Sequence, residues 1–208
     1  DYLPAHPEAS VDYIHGSSTA MALATPLRLV CHEERAEQLF SELARHKLDM
    51  VLIDRPLPPD SGVRGYNHEL GRSPLALFAS PELAARARDG FPASLEGLPL
   101  LIPGEKSATH DRLLEWYRQQ GIHPHLVGQF DDSTLMKSFG KAGMGIFPAP
   151  LAMADEIGRL YGVERIATLT DVTLSYYLVS AGRHLSHPGV QAVMEGAQQR
   201  LAALAGNK

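Results

Sequence analysis

Four polar segments at the ends of apolar runs hold most of the side chains that could do chemistry. They are Gly16-Ser17-Ser18-Thr19, Asp54-Arg55, Pro103 to Thr109, and Asp131-Asp132-Ser133-Thr134. Hydroxyls and the free N–H groups of helix N-termini suit an anion. Asp54, Glu105, Asp131 and Asp132 would suit a cation or a polyhydroxyl ligand. A structural reading competes with both. Asp131 to Thr134 and Ser107 to Thr109 are the residue types that cap helices, and capping is the commonest task of such residues.

Catalytic and metal chemistry find less support. Asp131 and Asp132 are neighbours, and in a strand neighbours point to opposite faces, so they do not make a glycosidase-like pair. No Gly-x-Ser-x-Gly elbow is present, and Gly16-Ser17-Ser18 does not replace one. Of the ten histidines, His123/His125 and His184/His187 stand beside prolines with no Cys or carboxylate at ligand spacing. His32-Glu33 lacks the second histidine of a zinc-protease motif. No metal and no cofactor is expected. Gly140 to Gly145 follows a helix instead of opening one, the wrong context for a dinucleotide fingerprint. Cys31, in an apolar run, reads as a buried core thiol.

The elements that must position these residues alternate between strand and helix. Ser10 to His15 and Leu27 to Cys31 read as strands, Glu33 to His46 as an amphipathic helix with Ala36, Leu39, Phe40 and Leu43 on one face, and Leu48 to Ile53 as a strand. A proline-rich loop follows. Pro74 to Ala79 reads as a strand, Pro81 to Arg88 as a helix, Leu98 to Ile102 as a strand, and about His110 to Gln120 as a helix. His123 to Phe130 leads into a helix started by one of Asp131 to Thr134, with Leu135, Met136 and Phe139 on its apolar side. Gly140 ends that helix or lets it turn, and Gly143 to Pro148 returns as a buried strand. After a loop around Gly162 to Thr173, Leu174 to Ser180 reads as a strand, and Pro188 opens a last helix to about Ala205. Two α/β lobes joined by two crossing strands, with a cleft between them, account for this order.

Bulk properties narrow the class. With 208 residues the chain can form one large domain or two small ones. A net charge of -5 and scattered Lys and Arg argue against a nucleic-acid surface in these residues. No apolar stretch is long enough to span a bilayer. A single cysteine excludes an internal disulfide and fits a reducing, cytoplasmic compartment. Starting at Asp1 without Met, the chain reads as a piece of a longer protein.

Taken together, His46-Lys-Leu-Asp-Met-Val-Leu-Ile-Asp-Arg-Pro56, Leu100-Leu-Ile-Pro-Gly104, Gly128-Gln-Phe-Asp-Asp-Ser-Thr-Leu-Met-Lys-Ser-Phe-Gly140 and His187-Pro188 resemble the effector-binding domain of LysR-type transcriptional regulators. The resemblance runs from about Leu27 to Gln198 and is narrowest to the NhaR-like branch, whose named member activates a sodium/proton antiporter gene. The Phe-Asp-Asp helix start is the more specific mark of that branch.

The resemblance implies an α/β fold of two Rossmann-like lobes of periplasmic-binding-protein type joined by two crossover strands. Lobe I would be residues 1–74 plus 176–208 and lobe II residues 75–175. It implies no enzymatic activity, a small-molecule or ion effector between the lobes, and a homodimer or homotetramer. It also implies promoter DNA as a partner, bound through an N-terminal winged helix-turn-helix outside these residues, and an activator's role. Candidate ligand contacts are Ser107, Ala108, Thr109, Phe130, Asp131, Ser133 and Thr134 from lobe II, Asp54 and Arg55 from lobe I, and Pro148 at the floor. An organic anion at the helix N-termini and sodium or lithium at the acidic pair are both open. One region departs from the family: between Ser18 and Pro26 there is room for only about two helical turns, which puts Ser17 and Ser18 in doubt. The alternative function on the same fold is an extracytoplasmic solute-binding protein of an uptake system. An α/β enzyme dependent on Asp131 or Asp132 is the third reading.

Overall fold

The computed structural model describes residues 30–32, 34–105 and 107–205. The expected strand at Ser10 to His15, the Gly16 to Thr19 segment and the short helix before Pro26 lie outside them. Of the expected strand Leu27 to Cys31, only Val30 and Cys31 are described, and neither is in a strand. Cys31 is a half-buried free thiol and Val30 is exposed, so the expected core thiol is corrected. Within the described residues the chain forms two compact units. One reaches Gly71 and resumes at Ser175; the other is Arg72–Leu174.

In the first unit, α1 (Ala36–Ala44) turns Phe40 and Leu43 inward, with Ala36 and Leu39 packed beside them on the expected apolar face. It ends in a paired C-terminal cap. His46 takes a left-handed φ of 56°, while Lys47 N–H donates to Glu42 O at 3.0 Å and His46 N–H to Leu43 O at 3.0 Å. β1 (Val51–Ile53) pairs antiparallel with the end of β6 (Glu164–Ser180), matching Val51 to Val179 and Ile53 to Tyr177. Phe40, Leu43, Val51, Leu57 and Val179 form the core there. The last helix, α6 (Pro188–Ala205), opens on proline, whose missing N–H costs nothing at a first turn. Its Leu201 fills the space a side chain would need at Gly71.

Two long strands connect the units along the chain: β2 (Tyr66–Ala79) and β6 (Glu164–Ser180). Both exceed the expected strands, which covered only their apolar ends. In the second unit β2 pairs antiparallel with β5 (Phe147–Pro150), setting Phe78 opposite Phe147. The expected return strand from Gly143 is therefore shorter, although Ile146 forms a single bridge to Leu100. α2 (Pro81–Arg88) again starts on proline.

β3 (Pro99–Pro103) and β4 (His125–Phe130) pair in parallel, linked by α3 (Ala108–Gln120), the crossover that parallel strands require. α4 (Ser133–Lys141) runs one residue past Gly140, whose missing side chain leaves room for the Phe147 ring. α5 (Ala154–Tyr161) was not anticipated and buries Ile157. Phe78, Leu101, Met136, Phe147 and Ile157 centre this core. Each contributes roughly 1.5–3 kcal/mol by leaving water.

Candidate functional site

The parallel register is what builds the site in the second unit. Ile102 lies opposite Gln129 and Pro103 opposite Phe130, so β3 and β4 end side by side and each feeds a helix. Gly104 N–H donates to Phe130 O at 2.7 Å, tying the two strand ends together just before their helices begin. Ser107 N–H then donates to Gly104 O at 3.0 Å and closes the turn into α3.

Both helices are capped by their own residues. Ser107 is the N-cap of α3, and its Oγ accepts from Thr109 N–H at 3.2 Å. Ala108 follows half-buried and Thr109 is buried. Asp132 is the N-cap of α4: its Oδ1 accepts from Thr134 N–H at 2.7 Å and Leu135 N–H at 3.1 Å. Of the four candidates Asp131 to Thr134, Asp132 thus starts the helix. A carboxylate there meets two orphan donors and the positive end of the helix dipole.

The neighbouring Asp131 is exposed, yet its carboxylate lies against the backbone of Gly104. Phe130 is half-buried with its ring 5.1 Å from that of Phe139, which fixes the end of β4 over α4. Ser133 is half-buried at the first helical position and Thr134 is exposed. Pro148 is buried in β5 opposite Leu77.

Asp54 and Arg55 belong to the first unit, at the end of β1. Arg55 Nε stands 3.3 Å from Asp54 Oδ1, and the two side chains are 43% and 15% exposed. Such an open pair contributes little to stability. The loop behind it is held firmly: Leu57 N–H donates to Asn67 Oδ1 at 2.8 Å, and Asn67 Nδ2 donates back to Leu57 O at 3.2 Å. The Gly16 to Thr19 candidates lie outside the described residues.

Two contributors have no sequence signal as site residues. Gly104 was legible only as the end of an apolar strand, and its meeting with Asp131 depends on parallel pairing. Lys137 sits on the inner side of α4, buried, with Nζ 5.8 Å from the centre of the Tyr161 ring. Its partner ring comes from α5, which spacing did not reveal. The large acid–base perturbations lie elsewhere, in the second half of α3. The Arg118 guanidinium and the Gln119 amide hold Glu115 down at about 2, and burial pushes the Tyr117 phenol up. Among the described residues no group of three or more His, Cys, Asp or Glu could hold a metal ion. Nor is any described helix long and apolar enough to cross a membrane.

What this arrangement can do is present hydroxyls, carboxylates and capped helix starts at one sheet edge, a setting for binding a small polar ligand. No nucleophile–base pair stands among these residues.

Residues 21–202 match the family described as LysR substrate binding domain. The transcriptional activator protein NhaR of Escherichia coli (strain K12) is 32% identical over 176 residues, covering 85% of this chain and 58% of the relative. The chain therefore spans little more than half the length of that curated relative, and the Shigella flexneri NhaR matches to the same extent. Among solved structures, the apo regulatory domain of HypT from Salmonella typhimurium has a TM-score of 0.68 at 14% identity, covering 94% of this chain and 92% of that one. The BenM effector binding domain with its effector benzoate gives 0.64 at 15% identity, covering 95% and 87%. The reduced regulatory domain of OxyR2 from Vibrio vulnificus gives 0.65 at 13% identity, covering 85% and 83%. At such identities these structures establish the fold alone, which is the α/β effector-binding fold expected.

Proposed function

The chain belongs to the LysR substrate binding domain family, and from that premise we propose that it senses a small cationic effector and passes the signal to promoter-bound DNA-reading domains. It is the effector-binding domain of an NhaR-like regulator, and the uptake-protein alternative gives way to that membership. In the proposed scheme the stretches 1–71 with 175–208 and 72–174 are the two lobes of the sensor, and the chain performs no catalysis. The whole protein is a cytoplasmic activator.

One observation carries the choice of charge. At α4 the N–H groups of Thr134 and Leu135, which an anion would use, already donate to Asp132 Oδ1. The Ser107 hydroxyl likewise takes the Thr109 N–H at α3. Asp131 adds a second carboxylate at the same mouth. An organic anion would meet two negative charges and occupied donors, whereas sodium or lithium would meet carboxylate and hydroxyl oxygens, the ligands hard cations prefer. Ser107, Thr109, Asp131, Ser133 and Thr134 are the contacts proposed on this unit, with Ala108, Phe130 and Pro148 shaping it, and Asp54 and Arg55 are the contacts proposed on the other.

The test is the melting temperature of the chain in sodium or lithium chloride against potassium chloride of equal ionic strength, with benzoate as the anion control. A rise specific to the small cations supports the reading; a rise with benzoate alone overturns the charge assignment.

Self-association is proposed through β4. Leu126 is 49% and Val127 39% exposed on this strand, which among the described residues pairs only with β3. An apolar strand edge open to water is a pairing site that proteins cover. Leu126→Lys is expected to shift a sedimenting homodimer or homotetramer towards monomer without lowering the melting temperature of the unit by more than about 2 °C.

A further inference from the structure

Gly104 has no conformational reason to be glycine. It is absent from the positive-φ glycines, so its backbone is of a kind any residue adopts. It is nevertheless buried, with N–H and C=O both engaged in the turn between β3 and α3. What demands glycine is space. A Cβ built there would overlap Asp131 Oδ1 and stand 3.1 Å from Asp131 Cγ, while Asp131 Cα, at 3.7 Å, is in ordinary contact. The clash is with the carboxylate alone.

We propose that Gly104 is a positioning residue: its missing side chain is the seat of the Asp131 carboxylate and holds that charge at the mouth of the effector site. Resting on the cationic reading above for its ligand consequence, this makes Gly104, which offers a ligand nothing but backbone, a determinant of which charge the site accepts. With any larger residue at 104 the carboxylate swings out to solvent, and the site loses one of its oxygens without losing Asp131 itself.

The test is a double-mutant cycle in the 208-residue chain, using Gly104→Ala, Asp131→Ala and both together. Contacting residues show such coupling and distant ones do not. Gly104→Ala is expected to lower the melting temperature by only about 2 °C, because the displaced carboxylate is the exposed end of a flexible side chain, and Asp131→Ala to change it little. The double variant should recover at least half of the loss, because removing the carboxylate empties the seat. If the double variant melts as low as Gly104→Ala, the seat is overturned.

A second arm compares lithium chloride with potassium chloride at equal ionic strength. Gly104→Ala and Asp131→Ala should both lose most of the lithium-specific rise seen in the parent chain. A Gly104→Ala chain that keeps the full rise overturns the positioning role. If the parent chain shows no rise, the cationic effector reading fails, and the seat stands or falls on the cycle.

Discussion

Asp132 shows at the scale of one residue how a structural role can serve a proposed functional one. Its Oδ1 satisfies two N–H groups at the start of α4, and in the proposed cationic reading the same carboxylate adds negative charge at the effector mouth. Replacing it with alanine orphans both donors next to a helix dipole, so Asp132→Ala should cost about 1 kcal/mol, within the range of lost N-caps. Urea denaturation measures it, and Asp132→Asn, which keeps an acceptor oxygen, should recover most of the loss. Tyr117 makes the opposite kind of case. It is buried at 2% exposure with Trp116 edge-on at 5.2 Å, and burial raises its phenol above the ordinary value. The fold favours the neutral form. Stability is therefore whole below the unfolded phenol's pKa of about 10 and declines as pH rises beyond it. Melting curves from about pH 8 to about pH 11 should show this alkaline decline, and Tyr117→Phe should flatten it.

At the scale of elements, α4 is held by a missing side chain. The Phe147 ring, itself fully buried and stacked 5.8 Å from Phe78, lies where a Cβ of Gly140 would be. Gly140→Ala gains about 1 kcal/mol in helix propensity. It meets an overpacking cost of about 1–3 kcal/mol, and because the ring has no solvent side to retreat to, the cost wins. A net loss of up to about 2 kcal/mol in urea denaturation is the expected outcome; a gain would mean the ring yields freely. The same elements show what could be read from the chain. α2 and α6 were legible to the residue because proline marks their starts, and α4 only to within Asp131 to Thr134, all of which are cap types. β2 was legible only from Pro74. Its first half carries Gly71 among polar residues and has no alternation, and it is held by distant residues such as Leu201 and Gln198 of α6. α5 has eight residues and one fully buried side chain, too little for a helical period to appear. The site was legible as polar strand ends. That Gly104 would receive Asp131 was not, because it follows from the parallel register of β3 and β4 and not from any local pattern.

For the molecule as a whole, connectivity has a consequence for folding. Arg72–Leu174 is one continuous stretch with its own core of Phe78, Leu101, Met136, Phe147 and Ile157 and its own strand pairs, β2 with β5 and β3 with β4. The other unit is made of two separated stretches. Its short β1 depends on Tyr177, Leu178 and Val179, which come only after the whole second unit in the chain. Its core needs Val179 beside Phe40, Leu43, Val51 and Leu57. A fragment of residues 72–174 therefore contains what a domain of about 100 residues needs to fold alone. A fragment ending at Leu174 lacks the partner residues of β1, the core residue Val179 and the whole of α6. The excised 72–174 segment should melt cooperatively and keep dispersed amide resonances. In a chain cut after Leu174, amides of the second unit should stay protected from hydrogen exchange while those of Ala36–Ala44 and Val51–Ile53 exchange as in an unfolded chain. Equal protection in both units of the truncated chain would show that the first unit folds without its C-terminal strand, and that the two stretches are not one cooperative body.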